Sequence, residues 1–226
     1  DQSTSQPDSS AAYPRSAMTF ESLELRWFLS GTPPDEVRAW FHGVGDPHHL
    51  KTESRQDVYY PLFDSVELSL KLRARTSLEL KGRVADLPVI ELETVHGEKL
   101  CGRPQRWAKW STRLAVEALP QDPQARPVEI EKVRESYLFV PASGGGYEQA
   151  LLGADGFGFV DEGIQVEIVS LRAPAGPYWS LAFEAFPWHP DDPATLLRFC
   201  EERLATYPGA LPIDRAMSYP EWLATL

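Results

Sequence analysis

Residues 66–84 read VELSLKLRARTSLELKGRV, and the alternation within this stretch decides the fold. Val66, Leu68, Leu70, Leu72 and Ala74 alternate with Glu67, Ser69, Lys71, Arg73 and Arg75. Beyond Thr76 and Ser77, Leu78 and Leu80 alternate with Glu79, Lys81 and Arg83. Side chains two apart share a face of a strand, so the segment predicts a β-hairpin with one apolar and one strongly basic face. On an open sheet the basic face meets water. Inside a closed barrel it lines a cavity.

The same pattern recurs on either side. In FESLELRWF (20–28), Leu23, Leu25 and Trp27 lie opposite Ser22, Glu24 and Arg26. VEIEKVRESYLFV (128–140) sets Lys132, Arg134 and Ser136 against Val133, Tyr137 and Phe139. RQDVYYPLF (55–63), VIELETV (89–95), GIQVEIVSLR (163–172) and YWSLAFEAF (178–186) read as further strands, the last two joined by the turn APAGP. GTPPDEVRAWF (31–41) is a helix entry, with Thr32 as cap and Asp35 and Glu36 complementing the dipole. A second helix is expected over 106–118, followed by a proline-rich connection, and a third in DDPATLLRFCEERLATYP (191–208), with Leu196, Leu197, Cys200 and Leu204 on one side. SYPEWLATL (218–226) carries a capping box, Ser218 to Glu221, and predicts a short closing helix. GVGDPHHLKTES (43–54) and ASGGGYEQ (142–149) read as loops; the first holds His48 and His49, which diverge on an extended segment, and the second lacks phosphate-loop spacing. About eight strands in sequence-adjacent antiparallel pairs, with two or three helices, give an α+β barrel.

The chain has 226 residues, 42% of them hydrophobic, and a net charge of -11. That length predicts a disordered polar tail over 1–17 and a single domain over 18–226. The acidic balance disfavours nucleic acid and anionic membranes as partners. Two cysteines, Cys101 and Cys200, have no metal-ligand spacing and read as reduced thiols of a cytoplasmic protein. No apolar run is long enough to span a membrane. Trp27, Phe28, Trp40, Phe41, Trp179 and Phe183 are expected in the core. Trp107 and Trp110 suit either packing or a surface for a protein partner or a second copy of the chain.

The order of these pieces resembles the CYTH, or triphosphate tunnel metalloenzyme, superfamily. The residues carrying the likeness are Asp57-Val-Tyr59, Arg73-Ala-Arg75, Glu79-Leu-Lys81, Lys132-Val-Arg134, Glu184 in FEAF, and SYPEWL at 218–223. The resemblance covers residues 19–226 and implies an eight-stranded antiparallel tunnel-like barrel with flanking helices and a C-terminal helix. Its lumen would bind a triphosphate, a polyphosphate or a phosphorylated small molecule, with Mg2+ or Mn2+ held by glutamates. It further implies Glu24 and Glu184 as metal ligands, with Lys71, Arg73, Arg75, Lys132 and Arg134 binding substrate. Glu24, Arg26 and Lys81 would stand nearest the chemistry, and Glu91, Glu93 and Glu167 could supplement the carboxylates.

Two strands depart from the family pattern, at three positions. The first strand reads Ser22-x-Glu24-x-Arg26 where Glu, Glu and Lys are expected, and the last reads Glu184-x-Phe186 where two glutamates are expected. Magnesium is usually held by one or two carboxylates with phosphate oxygens and waters, so the loss weakens the case for turnover more than for binding. The expected function is therefore binding of a phosphorylated anion, with metal-dependent phosphohydrolase activity as one version and a non-catalytic sensor or interaction module as the other. Seven inward cations (Arg26, Lys71, Arg73, Arg75, Lys81, Lys132 and Arg134) would repel one another by about 4 kcal/mol per pair at 4 Å and an effective dielectric of about 20. That repulsion calls for a multiply charged anion among them.

Overall fold

In a computed structural model, residues 18–61, 65–112, 126–154, 156–158, 160–187 and 193–226 are described. The strands are β1 (Met18–Ser30), β2 (Lys51–Tyr60), β3 (Leu68–Arg73), β4 (Ser77–Asp86), β5 (Ile90–Glu93) and β6 (Lys99–Gly102), then β7 (Gln105–Thr112), β8 (Val128–Pro141), β9 (Tyr147–Gln149), β10 (Gly163–Ala173) and β11 (Gly176–Phe186). The helices are α1 (Asp35–His42), α2 (Pro193–Leu204) and α3 (Tyr219–Leu223). The main sheet runs β10-β11-β1-β7-β4-β3-β2-β8-β9, and β8 also pairs with β10. That last pairing closes eight strands, all antiparallel, into a barrel, with β9 as a short extension of β8. Closure leaves no exposed edge between the paired barrel strands.

The apolar face of β1 decides which side of the barrel is the core. Leu23, Leu25 and Trp27 are buried on the outer wall with Val37 and Phe41 of α1 and with Leu196, Phe199, Cys200 and Leu204 of α2. Each fully buried Leu or Phe there contributes about 1.5–3 kcal/mol. Because side chains alternate, Ser22, Glu24 and Arg26 must then point into the lumen. The β5–β6 hairpin packs against the same outer cluster through Leu92 and Leu100. Its Gly102 has no room for a side chain, since a Cβ would stand 2.6 Å from Leu25 Cδ1.

A second apolar cluster plugs one end of the barrel. Phe28, Tyr59, Ile130, Val169 and Leu171 gather round Trp222 of α3. Phe28 and Trp222 stack with centroids 4.7 Å apart, and Tyr219 stacks on Tyr59 at 5.5 Å. The expected capping box holds α3 in place: Ser218 and Glu221 bond reciprocally, and Arg83 Nη1 donates to Glu221 Oε1 at 2.7 Å.

Several elements differ from the sequence-based expectation. Residues 106–112 of the expected helix over 106–118 lie in β7, which pairs with β1 and β4 on its two edges; residues 113–118 lie outside the described residues. Two full ladders of backbone hydrogen bonds override local helix preference there. β2 starts at Lys51 rather than Arg55, so the end of the expected loop over 43–54 is strand; β9 likewise takes residues 147–149 of the expected loop over 142–149. The expected strand over 89–95 forms only as β5, paired with β6 apart from the barrel, so Glu91 and Glu93 are exposed and away from the lumen. Pro34, not Thr32, occupies the N-cap of α1.

Candidate functional site

The inner wall can be read directly from register. Glu24 pairs with Glu184 across β1–β11, Lys81 with Lys109 across β4–β7, and Lys71 with Glu79 across β3–β4. Arg55 pairs with Lys132, and Glu53 with Arg134, across β2–β8. Residues directly opposite share a face, so all of these project into one lumen. Among the described residues eight cations line it: Arg26, Arg55, Lys71 and Arg73 with Lys81, Lys109, Lys132 and Arg134. Six carboxylates, Glu24, Glu53, Asp57, Glu79, Glu167 and Glu184, are ion-paired with them.

The carboxylates are interleaved rather than segregated. Arg26 Nε lies 2.6 Å from Glu24 Oε1, Nη2 lies 2.7 Å from Glu167 Oε1, and Nη1 donates to Ser180 Oγ at 3.1 Å. Lys81 Nζ reaches Glu24 Oε2 at 3.1 Å and Glu184 Oε1 at 3.4 Å, and Ser22 Oγ donates to the same Glu184 oxygen at 2.9 Å. Glu79 collects Lys71 at 2.9 Å, Arg73 at 3.4 Å and Lys109 at 3.6 Å. Glu53 collects Arg55, Arg134 and Arg73 at 2.7, 3.1 and 3.4 Å. The repulsion expected among the inward cations is therefore largely offset by the wall itself, with two positive charges in formal excess among the described residues when Lys132 is protonated.

The charges reshape each other's acidity. Burial would raise Glu24, but Arg26 and Lys81 outweigh it and hold the carboxyl well below its usual range. Glu79 is likewise held well down, by Lys71 and Lys109 against burial. Glu167 is held at about 2, by Arg26 and Arg134 against burial. Lys132 is the most buried of these cations. Its Nζ donates to Tyr59 Oη at 2.6 Å, pairs with Asp57 Oδ2 at 3.2 Å and sits 3.9 Å from the centre of the Tyr219 ring. Burial, with the Arg55 charge adding to it and Asp57 opposing, draws its ammonium down to about 7.

The free space within this lining is about 90 Å³. Pockets for drug-sized ligands run to about 300–1,000 Å³. The lumen thus has room for a small tetrahedral group but not for a nucleotide. Two donors on the inner face of β8, Arg134 Nε and Ser136 Oγ, are shut off from solvent and have no hydrogen-bond partner among the described residues. Donors of this kind are costly to leave unmatched and suit an anion or a water.

No protein-family model and no curated protein matches the chain.

Of the residues singled out from sequence, Glu24, Arg26, Lys71, Arg73, Lys81, Lys132, Arg134, Glu167 and Glu184 line the lumen together. Arg75 does not. Ala74 and Arg75 adopt left-handed backbone, φ 48 and 58, so the pleat ends at Arg73 and alternation no longer applies. Arg75 stands exposed on the exterior, paired with Glu129 at 3.1 Å. Sequence reading missed Arg55 and Lys109 as lumen cations and Glu53 as a lumen carboxylate. The signal was present as period-two spacing: Glu53, Arg55, Asp57 and Tyr59 occupy one face of β2, and Trp107, Lys109 and Ser111 one face of β7.

Glu24 and Glu184 stand side by side, as a shared cation would require. As arranged, however, the donors fit an ammonium and not a divalent ion. Both Glu24 oxygens and one Glu184 oxygen are taken by Arg26, Lys81 and Ser22, and among the described residues no three Asp, Glu, His or Cys side chains gather as a metal site. No helix among the described residues is long and apolar enough to cross a membrane.

Proposed function

We propose that this chain is a CYTH-like barrel that binds a small phosphorylated anion, with one terminal phosphoryl group in the lumen and the remainder at the end opposite α3. The observation that carries the reading is the charge count round one lumen: eight cations against six carboxylates among the described residues, with Arg134 Nε still unpartnered. An anion entering there meets charge-assisted donors in low dielectric, where each is worth about 1.5–3 kcal/mol. The small free volume favours a phosphomonoester end or a short inorganic phosphate over a threaded polymer.

The reading is of a binding module. Phosphoryl transfer needs a positioned nucleophile and neutralised oxygens. Here Glu24, the carboxylate the resemblance places closest to the chemistry, has both oxygens engaged by cations and is held ionised. Differential scanning fluorimetry with phosphate, pyrophosphate and tripolyphosphate tests the binding, alongside phosphate release in Mg2+ or Mn2+. The expected result is stabilisation by these anions without release. Release of phosphate would make the chain a hydrolase, and absence of stabilisation by all three would remove the lumen as the site.

A further inference from the structure

We propose that Lys81 is the built-in counter-cation of the Glu24–Glu184 carboxylate pair, standing where a divalent metal would stand, so that the lumen takes its phosphorylated anion without metal. This rests on the lumen-binding reading above.

Glu24 on β1 and Glu184 on β11 are directly opposed in register, which brings two carboxylates to one point on the wall. Such a pair must be neutralised, by a proton, a metal or a cation of the protein. Lys81 supplies it from β4, on the far side of β7, with Nζ within 3.4 Å of an oxygen from each carboxylate. Its stem is held in the wall, with the side chain only 21% exposed. Burial alone would lower the lysine, but Glu184 and Glu24 raise it, so the charge persists through the physiological range. Arg26 takes the other Glu24 oxygen, and Ser22, where a third carboxylate is expected from the family pattern, donates to Glu184 instead of adding negative charge. The local set of Glu24, Glu184, Lys81 and Arg26 is already neutral. A divalent cation brought here would add two charges to a lumen that is positive in excess.

The placement also assigns Lys81 a second use. Held at the wall beside Lys109, its register partner, it presents an ammonium to the free volume, where a metal would otherwise bridge phosphate oxygens. The tethered charge does for the anion what a soluble ion does elsewhere, and cannot be removed by chelation.

The test pairs two measurements on the intact chain. Stabilisation by inorganic phosphate is followed in EDTA and in Mg2+, and Mn2+ binding is followed by the loss of its free electron paramagnetic resonance signal. We expect phosphate to stabilise equally in both buffers, and wild-type protein to leave the Mn2+ signal unchanged. Lys81→Gln frees the carboxylate pair and should bind Mn2+ at least about tenfold more tightly than wild type, while Lys81→Arg, which keeps the charge, should not. Stabilisation that requires Mg2+, with Mn2+ bound by the wild type, would overturn the metal-free proposal and leave the lumen reading standing. No stabilisation in either buffer would overturn the lumen reading itself. A folded Lys81→Gln variant that gains no Mn2+ would overturn the role given to Lys81; should that variant not fold, the wild-type measurements decide.

Discussion

Arg26 and Glu24, two residues apart on the inner face of β1, are joined by a 2.6 Å contact between side chains only 5% and 7% exposed. The same guanidinium holds Glu167 from β10 and Ser180 from β11, so one side chain ties three neighbouring strands from inside the barrel. Its planar fork serves three directions at once, which a lysine cannot do. Removing one partner of a buried pair is far costlier than the pair is worth, because the other charge stays buried. Arg26→Met should therefore destabilise the fold by about 3–5 kcal/mol, read as a lowered urea midpoint. A loss below about 1 kcal/mol would show that water reaches Glu24 and Glu167 and that the lumen is not closed.

Acid should open the barrel in a defined window. Asp57 is held at about 2 by Lys132, Lys71 and Arg55 against burial, Glu167 is also near 2, and Glu24 and Glu79 are held lower still. In the unfolded chain these groups titrate near 3.8 and 4.5. Between those values and about 2 the unfolded chain binds more protons, so stability falls as pH falls. Denaturation midpoints should hold steady between about pH 5 and 6 and drop steeply below about pH 4.5; a flat profile to about pH 3 would contradict the paired lumen.

Lys132 should give anion binding a step near neutrality. Its charge faces Asp57, Tyr59 and Arg55 of β2, Arg26 of β1 and Tyr219 of α3, and its ammonium is drawn down to about 7. Affinity for sulfate, an anion that does not itself titrate near neutrality, should weaken as pH rises through about 7, and Lys132→Met should remove that step. Folding responds in the opposite sense. From about 7 up to the ordinary lysine value of 10.5 the unfolded chain holds the extra proton, so this group's contribution to stability rises with pH. Calorimetric titration at several pH values checks the first effect, and an affinity unchanged across neutrality would place Lys132 outside the anion's reach.

Lys109 and Arg73 are the cations with most room to turn toward a ligand. Their side chains are 25% and 33% exposed, and their nearest contacts to Glu79 are 3.6 and 3.4 Å. Ion pairs this loose and partly exposed contribute about 0–1 kcal/mol to folding. Lys109→Ala and Arg73→Ala should each lower pyrophosphate affinity about tenfold, roughly 1.4 kcal/mol, with little change in stability. Equal affinity in both variants would move the ligand elsewhere.

At the plugged end, Trp222→Ala removes a ring stacked on Phe28 and edge-on to Tyr178. The cost should be about 3–5 kcal/mol in a thermal or urea transition. A small loss would mean that α3 rests on the barrel without sealing it.

The barrel was legible because its strands have one greasy and one charged face. Leu23, Leu25 and Trp27 against Ser22, Glu24 and Arg26 admit only one orientation once helices cover the apolar side. β7 was not legible: RWAKW places aromatic residues on both faces, with Trp107 buried in the lumen wall and Trp110 half-buried outside, so no single period dominates. Arg75 was misplaced because alternation says nothing about where a left-handed turn ends the strand. The interleaved carboxylates were hidden for another reason. Lys81 and Glu184 are 103 residues apart, and their meeting depends on the registers of β4 with β7, β7 with β1, and β1 with β11. A sequence shows that charges share a face, but not which opposite charges the closed sheet brings beside them.

A crystal soaked in tungstate, a heavy tetrahedral anion located by its anomalous scattering, tests the central claim most directly. The account predicts a peak inside the barrel, within contact of Lys109, Arg73 or Arg134. Peaks confined to exterior cations such as Arg75 or Arg172, with none in the lumen, would contradict it.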